Sequence, residues 1–189
     1  SDVYKRQRQK VTILSLHLRV GGIEKAICSL ANMLVDDYDV EIVNVYRLCK
    51  PAFYIDERVK VTYLSTDLKP NKEELKYALK NKQYVKLIKE GFKALKVVLK
   101  KRSLIKRCAK DNDGDIIISS TLAFNFSFAK YQKNKLLIAW EHCHPDRDPK
   151  YSKKVYRAVK KFDLFIPASK SIYEFYKEYL TGPQCRYLP

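Results

Sequence analysis

A chain of 189 residues, 46% hydrophobic and 31% charged, is long enough for one globular domain whose core needs no disulfides. The five cysteines Cys28, Cys49, Cys108, Cys143 and Cys185 are odd in number and scattered, with no Cys-x-x-Cys pair. This argues against a secreted disulfide framework and for reduced thiols in a cytosol. No apolar run approaches the roughly 20 residues that a membrane-spanning helix needs. The net charge of +17 is unevenly placed: residues 72–110 hold 14 Lys and Arg against Glu73, Glu74 and Glu90.

Residues 1–8 are polar and aperiodic, with no signal-peptide order, and are set aside as an extraneous extension. From Lys10 to Leu16 a β-branched apolar run suits a buried parallel strand. Gly21-Gly22 then opens a helix over Ile23 to Leu34, and Tyr38 to Tyr46 is a second strand. A third strand spans Val59 to Leu64. A long helical stretch follows, broken near Asn81, which is expected to cap a second helix. On that helix Val85, Ile88, Phe92, Leu95 and Leu99 recur at steps of three and four, the spacing of a core-facing stripe with lysines outside it.

Alternation then resumes. Asp115 to Ser119, Lys135 to Trp140 and Asp163 to Ala168 read as strands, separated by helices over Leu122 to Lys133 and Tyr151 to Lys161. A last helix, Ser169 to Leu180, opens on a Ser cap, and Cys185 to Leu188 is extended. The pattern predicts a Rossmann-like, doubly wound, mostly parallel α/β sheet with helices on both faces. The domain is expected over 9–183, with 184–189 beginning a linker.

In such a sheet ligands bind at the carboxyl ends of the strands. The candidates are therefore His17 to Gly22, with Gly21 and Gly22 at the helix start, then Ser119 to Thr121, then Glu141 to Pro145, and Ser169 with Lys170. A glycine pair before a helix lets backbone N–H groups meet a phosphate, or is simply a tight strand-to-helix turn. Within Glu141-His142-Cys143-His144 an imidazole could bind a substrate hydroxyl or exchange protons. A satisfied structural histidine, a metal ligand or a Cys-His nucleophile are the competing readings, and four ligands at metal spacing are not apparent. The basic helices read as a solvated lysine face, as a membrane-docking surface, or, through Tyr77, Tyr84 and Phe92, as a nucleic-acid contact.

Three stretches together resemble the amino-terminal domain of family 4 glycosyltransferases, over about Lys10 to Pro189. They are Val11-Thr-Ile-Leu-Ser-Leu with Gly21-Gly-Ile-Glu-Lys-Ala26, then Ile138-Ala-Trp-Glu-His-Cys-His-Pro145, then Phe162-Asp-Leu-Phe-Ile-Pro-Ala-Ser169. The resemblance implies half of a GT-B fold in a retaining hexosyltransferase that needs no metal or other cofactor. It implies a UDP- or GDP-sugar donor and a saccharide or lipid-linked acceptor in cell-envelope synthesis. Gly21 and Gly22 would approach the donor diphosphate, and His142 would serve as the catalytic residue. Glu141, His144, Ser119, Thr121 and Ser169 would line the acceptor cleft. A carboxyl-terminal donor-binding domain is missing from the chain, so this half is expected to fold without catalysing. The expected location is cytoplasmic, peripheral on the inner membrane face through residues 72–110, with no nucleic acid. The rival from another class is a non-catalytic basic α/β module that binds an anionic membrane surface or nucleic acid.

Overall fold

The computed structural model describes residues 8–69, 71–144, 149–180 and 184–188. Pro145 of the histidine cluster and residues 1–7 of the expected extension lie outside them. The apolar runs become parallel strands, because a strand covered on both faces need not alternate polar residues. Six are β1 (Lys10–Ser15), β2 (Asp39–Tyr46), β3 (Lys60–Ser65), β4 (Ile116–Ser119), β5 (Leu136–Glu141) and β6 (Leu164–Pro167). A two-residue β7 (Gln184–Cys185) pairs with β6, so the segment expected to begin a linker starts as the edge of the sheet. The order is β3-β2-β1-β4-β5-β6-β7, every pair parallel.

The helices are α1 (Gly22–Leu34), α2 (Lys72–Lys80), α3 (Tyr84–Asp111), α4 (Leu122–Tyr131), α5 (Pro149–Val159) and α6 (Lys170–Tyr176). They divide unequally between the two faces. On one face Val11, Ile13, Val40, Ile42 and Ile118 pack against Ile27, Cys28 and Ala31 of α1. The other face, with Leu14, Val43, Ile117, Leu137 and Phe165, is covered from α3, α4, α5 and α6 by Ile105, Phe124, Phe128, Val155, Ile172 and Tyr176. Apolar burial on this scale, at about 25 cal/mol per Å², is the main term holding the layers together.

Two sequence expectations change here. Asn81 closes α2 instead of opening α3: its backbone N–H and its side-chain Nδ2 both donate to the Tyr77 carbonyl. Asparagine suits either helix end, so residue type alone did not decide. The stripe Val85, Ile88, Phe92, Leu95 and Leu99 is not core. These side chains are 84%, 62%, 63%, 53% and 54% exposed. α3 instead buries Glu90, Ile105 and Ala109 and packs Val97, Leu104 and Cys108 against the core.

The length of α3 explains part of this. Its 28 residues run about 42 Å, whereas a six-residue strand runs about 20 Å. Since α3 returns the chain from the carboxyl end of β3 to the amino end of β4, its amino-terminal half extends past the carboxyl edge of the sheet. There it packs with α2, tied by Asn71 Nδ2 to the Glu90 carboxylate at 2.9 Å, which Lys93 of α3 itself also holds at 2.6 Å.

Candidate functional site

Strand order reverses between β1 and β4, and a crevice at the carboxyl ends of the strands is expected at such a point. The loop after β4 is tied to the end of β1 there: Ser120 donates from its hydroxyl to the Leu14 carbonyl at 2.8 Å. β5 and β6 follow on one side, so Gly21, Gly22, Ser119, Thr121, Glu141, His142, His144 and Ser169 all fall along this edge of the sheet.

α1 begins at Gly21, whose φ of 175° is extended backbone open to any residue. A Cβ there would fall on the Glu24 carboxylate, the far end of a flexible side chain that can turn aside, so space does not demand the glycine either. That carboxylate lies in the first helical turn, where the helix dipole favours an anion, and 3.2 Å from His17 Nδ1. Nothing stands within 4 Å of the Cβ position of Gly22. A helix leaves its first-turn N–H groups without internal partners, and Gly22 has no side chain to crowd them.

Ser119 and Thr121 serve local structure. Ser119 is 1% exposed, and its hydroxyl contacts the Asn125 side-chain oxygen at 2.5 Å and the Thr121 carbonyl at 3.1 Å. Thr121 caps α4, accepting from the Ala123 N–H, and Ser169 caps α6, accepting from Ile172 N–H at 3.4 Å. The Ser cap expected at 169 is thus present.

β5 ends in the strongest chemistry. Glu141 is 7% exposed, and its carboxylate accepts from the Cys143 N–H at 2.8 Å and from the Tyr151 hydroxyl at 3.1 Å. Burial raises its pKa despite these donors. Burial also raises that of the Tyr151 phenol, and the Glu141 charge adds to it. These bonds fix the turn that carries His142. The His142 ring lies 4.5 Å from that of Trp140, centroid to centroid. Its Nε2 is buried and, among the described residues, has no hydrogen-bond partner. Burial lowers its pKa to about 4, so the imidazole is neutral at pH 7. His144 is half-buried and already engaged. Among the described residues no three His, Cys, Asp or Glu side chains converge as a metal site.

Glu24, Asn44, Asn125 and Tyr151 were not singled out from the sequence. Glu24 sits three residues from the glycine turn, the spacing of a carboxylate that folds back on a helix start, and that signal was available. Asn44 is fully buried near the carboxyl end of β2, in register with Ser15, and neither side-chain polar atom has a partner among the described residues. Nothing local marks it, because an Asn within an apolar run is legible only once its neighbours are known.

No protein-family model matches the chain, and no curated protein matches its sequence. Among solved structures it is similar to sucrose-phosphate synthase from Thermosynechococcus elongatus. That similarity has a TM-score of 0.64 and covers 96% of this chain at 12% identity. The chain spans 48%, about half, of the length of that protein. At such identity the likeness shows the fold: a Rossmann-like α/β domain shared with half of a larger molecule.

Proposed function

We propose that this domain is the acceptor-side half of a glycosyltransferase that moves a sugar from a nucleotide-sugar donor to an acceptor hydroxyl. The observation that carries the reading is His142: a neutral imidazole at the end of β5, its Nε2 buried and unpartnered among the described residues. An unpaired buried polar atom costs about 1–3 kcal/mol, and a ligand hydroxyl bound there recovers it. The fold shared with half of a sucrose-phosphate synthase and the Gly21-Gly22 helix start support the same reading.

In this scheme the donor diphosphate meets the first-turn N–H groups at Gly22, and the flexible Glu24 side chain swings away from Gly21 to admit it. Neutral His142 hydrogen-bonds a hydroxyl of the sugar, and its ring is held against Trp140. With a pKa of about 4 it orients and stabilises, and does not act as a protonated acid at neutral pH. Glu141 and Tyr151 are positioning residues that hold the turn beneath it. The bond from the anomeric carbon to the donor phosphate breaks, a bond to the acceptor oxygen forms, and the hydroxyl proton leaves with the nucleotide diphosphate. We further propose a UDP- or GDP-hexose donor, retention at the anomeric carbon, and a saccharide or lipid-linked acceptor, on the family 4 likeness of the motifs. A second domain completes the cleft in this reading.

The test is a panel of nucleotide sugars given to the protein carrying both halves, with release of UDP or GDP measured. Release from at least one donor that falls in His142→Ala, with folding unchanged, supports the proposal. No release from any donor, or release indifferent to His142, overturns it.

A further inference from the structure

Viewed down its axis at 3.6 residues per turn, α3 has three faces. One, centred on Leu87, Ala94, Val97 and Ile105, turns toward the protein and is wholly or partly buried. The second is the stripe Val85, Ile88, Phe92, Leu95 and Leu99, within an arc of about 80°. Each of its five side chains is more than half exposed. The third, adjacent to the stripe, is a row of exposed lysines: Lys86, Lys89, Lys93, Lys96 and Lys100. The stripe extends about 21 Å along the helix. Aliphatic and aromatic groups held in water over such a length mark an interaction surface.

We propose that α3 docks on an anionic lipid bilayer, with the stripe at the boundary between headgroups and acyl chains and the lysine row on the lipid phosphates. Charge selects this occupant. Residues 72–110 carry a net charge of +11, so two copies brought stripe to stripe would set like-charged rows beside each other. Four of the five stripe residues lack a ring on which a base could stack, which disfavours nucleic acid. A bilayer with acidic headgroups satisfies both rows at once, the pattern of a helix that lies in the interface plane. Among the described residues no helix is long and apolar enough to cross a membrane, so the surface, not the interior, is the partner.

The docking surface is independent of the transfer reading, and has one consequence for it. The stripe occupies the half of α3 that extends past the carboxyl ends of the strands, so docking brings that edge of the sheet to the bilayer.

Co-sedimentation with vesicles tests the proposal, comparing phosphatidylcholine alone with vesicles holding about 30 mol% phosphatidylglycerol. The expected result is binding to the anionic vesicles at least about ten-fold tighter than to the neutral ones. A triple variant, Ile88→Ser, Phe92→Ser and Leu95→Ser, is expected to weaken it at least about ten-fold. All three side chains are exposed, so the fold survives, and circular dichroism checks this. Lys89→Glu with Lys96→Glu is expected to abolish the preference for anionic lipid. Three results would each overturn the proposal. One is anionic binding unchanged in the triple variant and removed by salt, which is adsorption by charge alone. Another is a concentration-dependent dimer that the triple variant dissolves, with no vesicle binding. The last is RNA or single-stranded DNA bound more tightly than any vesicle.

Discussion

The two ends of the parallel sheet are built differently. At the amino ends Lys10, Glu41, Lys60, Asp113, Asp115 and Lys135 are joined in ion pairs. Glu41 on β2 is buried between Lys10 at 3.0 Å and Lys60 at 3.1 Å, and accepts from the Thr62 hydroxyl at 2.7 Å. The Asp115 carboxylate accepts the Lys10 N–H at 3.0 Å, and the Asp163 carboxylate accepts the Leu137 N–H at 2.8 Å. Burial pushes the Glu41 pKa up, but Thr62, Lys10 and Lys60 outweigh it and the net shift is downward. At the carboxyl ends both polar atoms of Asn44 and His142 Nε2 are buried without hydrogen-bond partners among the described residues. A fold that satisfies one edge and leaves polar atoms waiting at the other keeps stability and ligand binding apart.

The largest effect that would sharpen this contrast is at the carboxyl edge. His142→Ala is expected to lower nucleotide release by about 100-fold while leaving the melting temperature nearly unchanged. At the amino edge Glu41→Ala is expected to cost about 2 kcal/mol of stability, because it removes the acceptor of the Thr62 hydroxyl and a carboxylate shared by Lys10 and Lys60. Denaturant midpoints measure this, and a loss under about 0.5 kcal/mol would break the contrast. Ser119→Ala, which removes the bond to Asn125, is expected to cost about 1 kcal/mol by the same measurement. Asn44→Val removes a buried side chain with no partner and is expected to be close to neutral, within about 0.5 kcal/mol.

Acid should separate the two edges further. The His142 pKa falls from 6.5 to about 4 on folding, so its contribution to stability is complete above pH 6.5. That contribution is lost as pH falls through about 4, because only the unfolded chain takes up the proton in this window. Glu41 starts from 4.5 and is lowered, so its contribution is kept above 4.5 and lost at lower pH. Glu141, raised by burial, runs the other way and favours the folded state most at low pH. A denaturation series between pH 7 and 3 is expected to show an upper step that disappears in His142→Ala and a lower step that disappears in Glu41→Gln.

Much of the fold was legible because buried parallel strands print themselves as short apolar runs, and Gly21-Gly22 punctuates the first crossover. Periodicity misled at α3. It finds large apolar residues three and four apart, and that stripe is real, but spacing does not say which face is buried. The face α3 turns inward is partly small, with Gly91, Ala94 and Ala109, and includes Glu90, whose carboxylate is held by Asn71 and Lys93. Such a face leaves little trace in hydrophobicity. At the site, strand-end logic brought the named residues to one edge. It could not show that the Ser119 hydroxyl turns inward to Asn125 or that Glu24 lies over Gly21, since both depend on side-chain direction.

The most direct test pairs the two edges in one experiment: nucleotide release and melting temperature, measured together for Glu41→Gln and His142→Ala in the protein carrying both halves. The account predicts that Glu41→Gln melts earlier and turns over normally, whereas His142→Ala melts normally and loses turnover. The reverse pattern, or turnover lost in neither variant, would contradict it.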